Sequence, residues 1–212
     1  LIVMNITVHR GTHQIGGSAI EISTESTRII LDFGNELSLD EKYIPIDLDI
    51  DGVTKSAPDC DGIVISHYHM DHLGQLTSAL RDIPLYIGEL SKEVALIGAE
   101  YQDKDLYLRL LGANTFRGGE AFTIGDIRIR PLVIDHSAVD SYMFVIEADG
   151  KRILYTGDFR LHGLRGHVLE KLIKTYIGDV DVLITEGTSL SRNANNSISE
   201  REVLDDISSY IQ

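Results

Sequence analysis

Asp61-Gly62-Ile63-Val64-Ile65-Ser66-His67-Tyr68-His69-Met70-Asp71-His72-Leu73-Gly74 carries three histidines and one aspartate within six residues, directly after a run of β-branched residues. Such a run reads as a buried strand that opens into a polar cluster. In extended backbone, side chains two residues apart point the same way, so His67 and His69 can converge on one ion. Asp71 and His72 fall where a helical pattern begins, and the change of backbone direction aims them at a neighbouring point. Two adjacent metal positions follow. Imidazole and carboxylate donors without thiolate suit zinc, and manganese or iron would be tolerated by the same donors.

Outward from this cluster, short β-branched runs recur at Ile2–Val8, Ala19–Ile22, Arg28–Leu31, Gly62–Ile65, Ile127–Ile134, Tyr142–Ile146, Arg152–Tyr155 and Val180–Thr185. Turn pairs such as Gly125-Asp126 and Asp149-Gly150 join several of them, which predicts antiparallel meanders. Helical spacing predicts helices over Leu73–Leu80, Leu90–Leu111 and Val168–Ile177. Ile44–Asp51 alternates apolar and acidic residues like a half-exposed strand or a rim loop. No repeat or linker divides the first 186 residues, so a single mixed α/β domain is expected there.

Composition narrows the partners. The chain has 212 residues, 43% of them hydrophobic, enough for a sizeable core. It lacks an apolar run of the roughly 20 residues needed to span a bilayer, and its opening residues do not resemble a secretory signal. Met4 opens a stretch that reads like a natural start. Cys60 is the single cysteine, which fits a reducing compartment, and a cytoplasmic protein is expected. The net charge of -14 argues against a phosphate-backbone partner and for a small-molecule substrate. Bound divalent ions would cancel part of that local negative field.

His67-Tyr68-His69-Met70-Asp71-His72 resembles the HxHxDH signature of the metallo-β-lactamase superfamily, and further motifs of that family follow in order. Leu31-Asp32-Phe33-Gly34 resembles its first motif, which implies that Asp32 buttresses the metal loop without binding metal. Asp135-His136-Ser137 resembles the third motif, so His136 would complete the first site beside His67 and His69. Tyr155-Thr156-Gly157-Asp158-Phe159-Arg160 resembles the fourth, whose aspartate, Asp158 here, bridges both ions. Leu183-Ile184-Thr185-Glu186-Gly187-Thr188 resembles the acidic motif of the β-CASP nucleases, the group that includes ribonuclease J-like enzymes. The run Asp158–Gly163 resembles bacterial members, which would bring His162 near substrate. Gly11–Ser18 resembles a turn at the active-site rim whose amides could face a phosphate, and His9 and His13 receive no role.

The resemblance implies an α+β fold, the metallo-β-lactamase αββα four-layer sandwich, incomplete at its C-terminus. It implies a catalytic domain over residues 1–190, followed at 191–212 by a linker and the start of a helix leading to an absent β-CASP domain. Ser199-Glu200-Arg201-Glu202 reads as a capping box opening that helix. The implied activity is that of a ribonuclease with two divalent ions, His67, His69, Asp71, His72, His136 and Asp158 as ligands, and Asp71, Asp158 and Glu186 as catalytic groups. A hydroxide shared by the ions would attack phosphorus in line, oriented by Asp71. Family sites take one more histidine for the second ion, and none follows His167. The chain alone is therefore expected to hold nearer one ion than two and to be a weak catalyst. RNA, met through the absent domain, and a second copy of the chain are the expected partners, with no membrane. The alternative is a small-molecule metallohydrolase acting on a thioester, a lactone or a cyclic-nucleotide phosphodiester.

Overall fold

Eleven strands form two sheets in the computed structural model, which describes residues 4–37, 46–190 and 198–211. The first sheet has six strands in sequence order: β1 (Asn5–Arg10), β2 (Ala19–Ser23), β3 (Arg28–Leu31), β4 (Gly62–Ile65), β5 (Leu85–Gly88) and β6 (Asn114–Phe116). The second has five, in the order β11 (Val182–Ile184), β10 (Lys151–Tyr155), β9 (Tyr142–Ala148), β8 (Ile127–Val133) and β7 (Phe122–Ile124). Ile22, Ile29, Leu31 and Val64 of the first sheet meet Ile129, Phe144, Ile146 and Ile153 of the second in one buried layer. Helices cover both outer faces. Leu106 and Leu110 of α3 (Lys104–Leu111) and Ala99 of α2 (Glu89–Gln102) pack on Ile63, Ile65 and Ile87. On the other side Leu169 and Leu172 of α4 (Leu169–Leu172) cover Leu132, Met143 and Leu154. The layers run helix, sheet, sheet, helix, as the motifs implied.

The meanders are only half of the pairing. β1 to β3 and β7 to β10 are antiparallel, but β3, β4, β5 and β6 run parallel, as do β10 and β11. The reason is that the chain returns through helices between β4 and β5 and between β5 and β6, which permits parallel neighbours. β4 is buried along its whole length, as a central parallel strand should be. β5, β6 and β7 were not expected at all.

Two expected helices are corrected. The run over Leu73–Leu80 yields only α1 (Met70–Leu73), stopped at Gly74, where a Cβ would lie 2.4 Å from both Met70 O and Asn35 Nδ2. The run Leu90–Leu111 splits because Asp103 has extended backbone and its side chain accepts from the amides of Asp105 and Leu106, starting α3 afresh. Residues 166–177 are a mixed segment, a 3-10 turn, α4 and a π-helical turn (Ile173–Ile177). The capping box is present, with Ser199 N and Oγ donating to Glu202 and Glu202 N returning to Ser199 Oγ, and it opens α5 (Glu200–Ile211). Residues 46–50 form no strand. Ile2, Ile44 and the linker expected from residue 191 to 197 lie outside the described residues. No helix of the described residues is long and apolar enough to cross a membrane.

Candidate metal centre

All six expected ligands lie where strands of the two sheets end in loops. His67 and His69 leave β4, Asp71 and His72 belong to α1, His136 follows β8 and Asp158 follows β10. His67 Nε2 is 3.1 Å from His69 Nδ1, and His136 Nε2 is 3.2 Å from the same atom. Two imidazoles bonded at roughly 2.0–2.1 Å to one tetrahedral ion would have nitrogens about 3.3 Å apart, so the trio has the spacing of a shared ion. His67, His72 and Asp158 form a second trio able to hold a metal ion. His72 Nε2 lies 3.3 Å from Asp158 Oδ1 and 3.6 Å from Asp71 Oδ2. Asp71 thus borders the second trio, and Asp158 also reaches within 3.9 Å of His136.

The expected buttress is present in full. Asp32 is buried, at φ 55°, and its carboxylate accepts from Ser66 N (2.7 Å), Ser66 Oγ (2.8 Å), His72 Nδ1 (2.8 Å) and Tyr155 Oη (2.5 Å). With the Ser66 hydroxyl committed to Asp32, His67 Nδ1 donates to Ser66 Oγ at 3.0 Å. One carboxylate therefore fixes two imidazoles, His72 directly and His67 through Ser66, and turns both Nε2 atoms toward the other candidate donors. Phe33 N donates to His72 O and Asn35 N to Met70 O, while Gly17 N and Ser18 N both reach Asp71 O. Gly34 is needed for that embrace, since a Cβ there would stand 1.6 Å from Asp71 O.

The electrostatics favour neutral imidazoles at His67, His69 and His136 and a charged one at His72, between two carboxylates. Burial, helped by the other histidines, pushes His67 far below its ordinary value, and burial likewise lowers His69 and brings His136 to about 4. Burial opposes a charge on His72, but Asp32 and Asp158 outweigh it and raise the imidazole well above 6.5. Asp158 is held below the usual carboxylate range, its burial offset by the His72 hydrogen bond and by the charges of His72 and His136. Asp71 is raised, chiefly by burial. Such a set fits divalent ions: three neutral imidazoles, a fourth whose Nε2 proton a cation beside Asp158 would replace, carboxylates and no thiolate.

Asp71, His72 and Asp158 line a cleft of about 530 Å³ whose walls are the turn from Gly11 to Gly16 and the segment from Ile184 to Thr188. Glu186 lies in that wall, and its Oε1 accepts from Phe159 N at 2.9 Å, next to Asp158. His162 is exposed and outside the cluster, its carbonyl accepting from Glu200 N. His13 lines the cleft at φ 60° although the sequence assigned it nothing. Tyr155, Ser66 and Arg160 were also missed. A tyrosine inside an apolar strand run has no local mark of a polar task; only its pairing distance from Asp32 shows it.

The sequence profile of a beta-lactamase superfamily domain matches residues 44–200. The chain belongs to the beta-lactamase superfamily. Within the superfamily it is similar to a protein named RNase J-like protein from Methanocaldococcus jannaschii, 28% identical over 218 residues, 96% of this chain and 48% of the relative. It is also similar to a ribonuclease J of Helicobacter pylori, 27% identical over 168 residues, 74% of this chain and 23% of that protein. A third relative, named endoribonuclease ysh-1, from Neurospora crassa, is 28% identical over 200 residues, 84% of this chain and 23% of its own length. The chain thus spans about half or less of the length of these curated relatives. The resemblance to ribonuclease J-like members of the superfamily holds. The superfamily fold is also that of a protein of unknown function from Enterococcus faecalis V583, with TM-score 0.80, 22% identity and coverage of 96% of this chain and 56% of that one.

Proposed function

We propose that this protein is a metal-dependent ribonuclease that hydrolyses phosphodiester bonds of RNA. The observation that carries the reading is the gathering of His67, His69, His72, His136 and Asp158 into two overlapping donor trios, with Asp32 orienting two of the imidazoles. The names of the relatives as ribonucleases support the substrate class. His67, His69 and His136 would hold one divalent ion; His72, Asp158 and Asp71 would hold a second beside it. Zinc suits these donors first, and one similar fold, a PqqB from Methylobacterium extorquens with TM-score 0.52, is described as Zn(2+)-bound. When bound, such ions acidify a water toward neutral pH and neutralise charge that grows on phosphorus.

The remaining steps belong to the chain. Asp32 keeps His67 and His72 in one tautomer, so their Nε2 atoms stay available through turnover. Asp71, raised by burial, borders the second trio and can take a proton from the attacking water. Glu186 positions Asp158 by holding the Phe159 amide, which makes it a positioning residue acting through that loop. The turn from Gly11 to Gly16 and the segment from Ile184 to Thr188 form the walls between which a single strand would lie. A small-molecule reading draws its support from the net charge of -14, because an acidic surface repels a phosphate backbone.

The two readings separate on one substrate panel. The full-length metal-loaded protein should cleave single-stranded RNA, with binding that weakens as salt rises, and should leave thioesters and lactones intact. Rapid thioester or lactone hydrolysis with no action on RNA would overturn the proposal.

A further inference from the structure

Two loops supply the donors His136 and Asp158, and both are bolted to one guanidinium. Arg160 Nε donates to Asp135 Oδ1 at 3.0 Å, and the Arg160 amide donates to the Asp135 carbonyl at 2.9 Å. Asp135 immediately precedes His136, and Arg160 lies two residues after Asp158. The other oxygen of Asp135 accepts from Arg165 N at 2.6 Å, so the second loop is gripped at both ends. Gly163 makes the grip close: a Cβ there would stand 2.5 Å from both Asp135 oxygens and 2.6 Å from Arg160 Nε.

The guanidinium has a second carboxylate. Arg160 Nη1 pairs with Glu200 Oε1 at 2.6 Å, while Glu200 Oε2 accepts from Leu164 N and the Glu200 amide donates to the His162 carbonyl. Glu200 is the first residue of α5, no residue of which is buried. Apart from the capping contacts with Ser199, the polar contacts found among the described residues between α5 and the rest of the chain run through Glu200. A lone half-exposed ion pair contributes little. Here the pair closes a network that spans both donor-bearing loops and ends on a helix far along the sequence.

We propose that Arg160, gripped between Asp135 and Glu200, is a positioning residue for the metal centre, setting the placement of His136 relative to Asp158, and that Glu200 is the outer end of this control. The inference rests on the metal-dependent reading of the site. Groups of this kind, one step removed from the ion, typically change metal affinity by 10–100-fold when lost. Arg160 is suited to the task because its planar fork can serve two carboxylates at once, which a lysine ammonium does less well.

The test is metal binding, read apart from turnover. Full-length protein stripped with a chelator is titrated with Co²⁺, following its visible absorption, and with Zn²⁺ against a competing dye. Arg160→Met and Glu200→Gln should each weaken binding about tenfold and shift the cobalt bands, and Arg160→Lys should recover part of the loss. Melting of the metal-free Glu200→Gln protein should stay near wild type. If Arg160→Met does not fold, Glu200→Gln decides alone. Wild-type affinity and an unshifted cobalt spectrum in Glu200→Gln overturn the inference. A wild-type protein that takes up no metal would instead overturn the proposed function, so the two failures are distinguishable.

Discussion

Asp32 shows how much one residue can organise. Its carboxylate belongs to neither donor trio, yet four donors end on it, and two of those donors lead to imidazoles of the trios. The motif Leu31-Asp32-Phe33-Gly34 made the buttress legible in the sequence, but Ser66 and Tyr155, which share the load, carry no such mark. Tyr155 Oη is buried, and burial followed by the Asp32 charge drives its ionisation well above the usual value, so it stays a donor. Tyr155→Phe should cost about 2 kcal/mol of stability, the cost of leaving a buried carboxylate short of one donor. Chemical denaturation of the metal-free protein measures that loss, and an unchanged midpoint would refute the shared load. The histidines set a pH dependence as well. His136 is lowered to about 4, chiefly by burial. Because that is below the ordinary 6.5, its contribution is present above pH 6.5 and lost as pH falls toward 4. His67 shifts in the same direction from the same cause. His72 has the opposite sign: raised by Asp32 and Asp158, it stabilises the fold below 6.5 and loses that effect as pH climbs through its raised value. The melting temperature of chelator-stripped protein should therefore drop below pH 6.5, and His136→Gln should flatten part of the drop.

At the scale of elements, legibility followed length and contrast. β4 and β9 are mostly apolar runs, β8 alternates apolar residues with Arg128 and Arg130, β10 ends in Ile153-Leu154-Tyr155, and each was read within a few positions. β6 was invisible because Asn114 and Thr115 are exposed and only Phe116 is buried, so three residues gave no period to detect. The division between α2 and α3 was hidden for another reason: Leu90–Leu111 keeps helical spacing throughout, and the interruption rests on the backbone of one residue. Asp103 turns to φ −150° and caps α3 with two hydrogen bonds of 3.0 Å. Asp103→Ala removes both, and should cost about 1 kcal/mol. A thermal melt showing no loss would mean that packing of Leu106 and Leu110, rather than the cap, sets this junction. The N-terminus of α2 is capped from far away in sequence, since Leu90 N and Ser91 N donate to Asp140 Oδ2 on the His136 loop. No local pattern could announce that pairing. It ties the helix layer to the loop that carries His136, a candidate metal donor.

Over the whole molecule, the candidate metal donors are gathered because both sheets end their strands at the same edge of the sandwich. The cluster was legible because four of its six residues are local, and the order of the other two is a property of the superfamily. What sequence could not supply was the parallel pairing of β3 through β6, which depends on helices returning the chain, and the Arg160 network, whose ends lie 65 residues apart between Asp135 and Glu200. Part of the acidic charge is concentrated locally, since Asp71, Asp158 and Glu186 line the same cleft, where a cation would offset them. The most direct measurement is the release of nucleotides from labelled single-stranded RNA by chelator-stripped full-length protein as zinc or manganese is added back. The stripped protein should be inactive, activity should return and saturate with metal, and Asp158→Asn should stay at least 100-fold below wild type at every metal concentration, about 3 kcal/mol of transition-state stabilisation. Undiminished cleavage by the stripped protein, or wild-type recovery in Asp158→Asn, would contradict a metal-dependent nuclease centred on these residues.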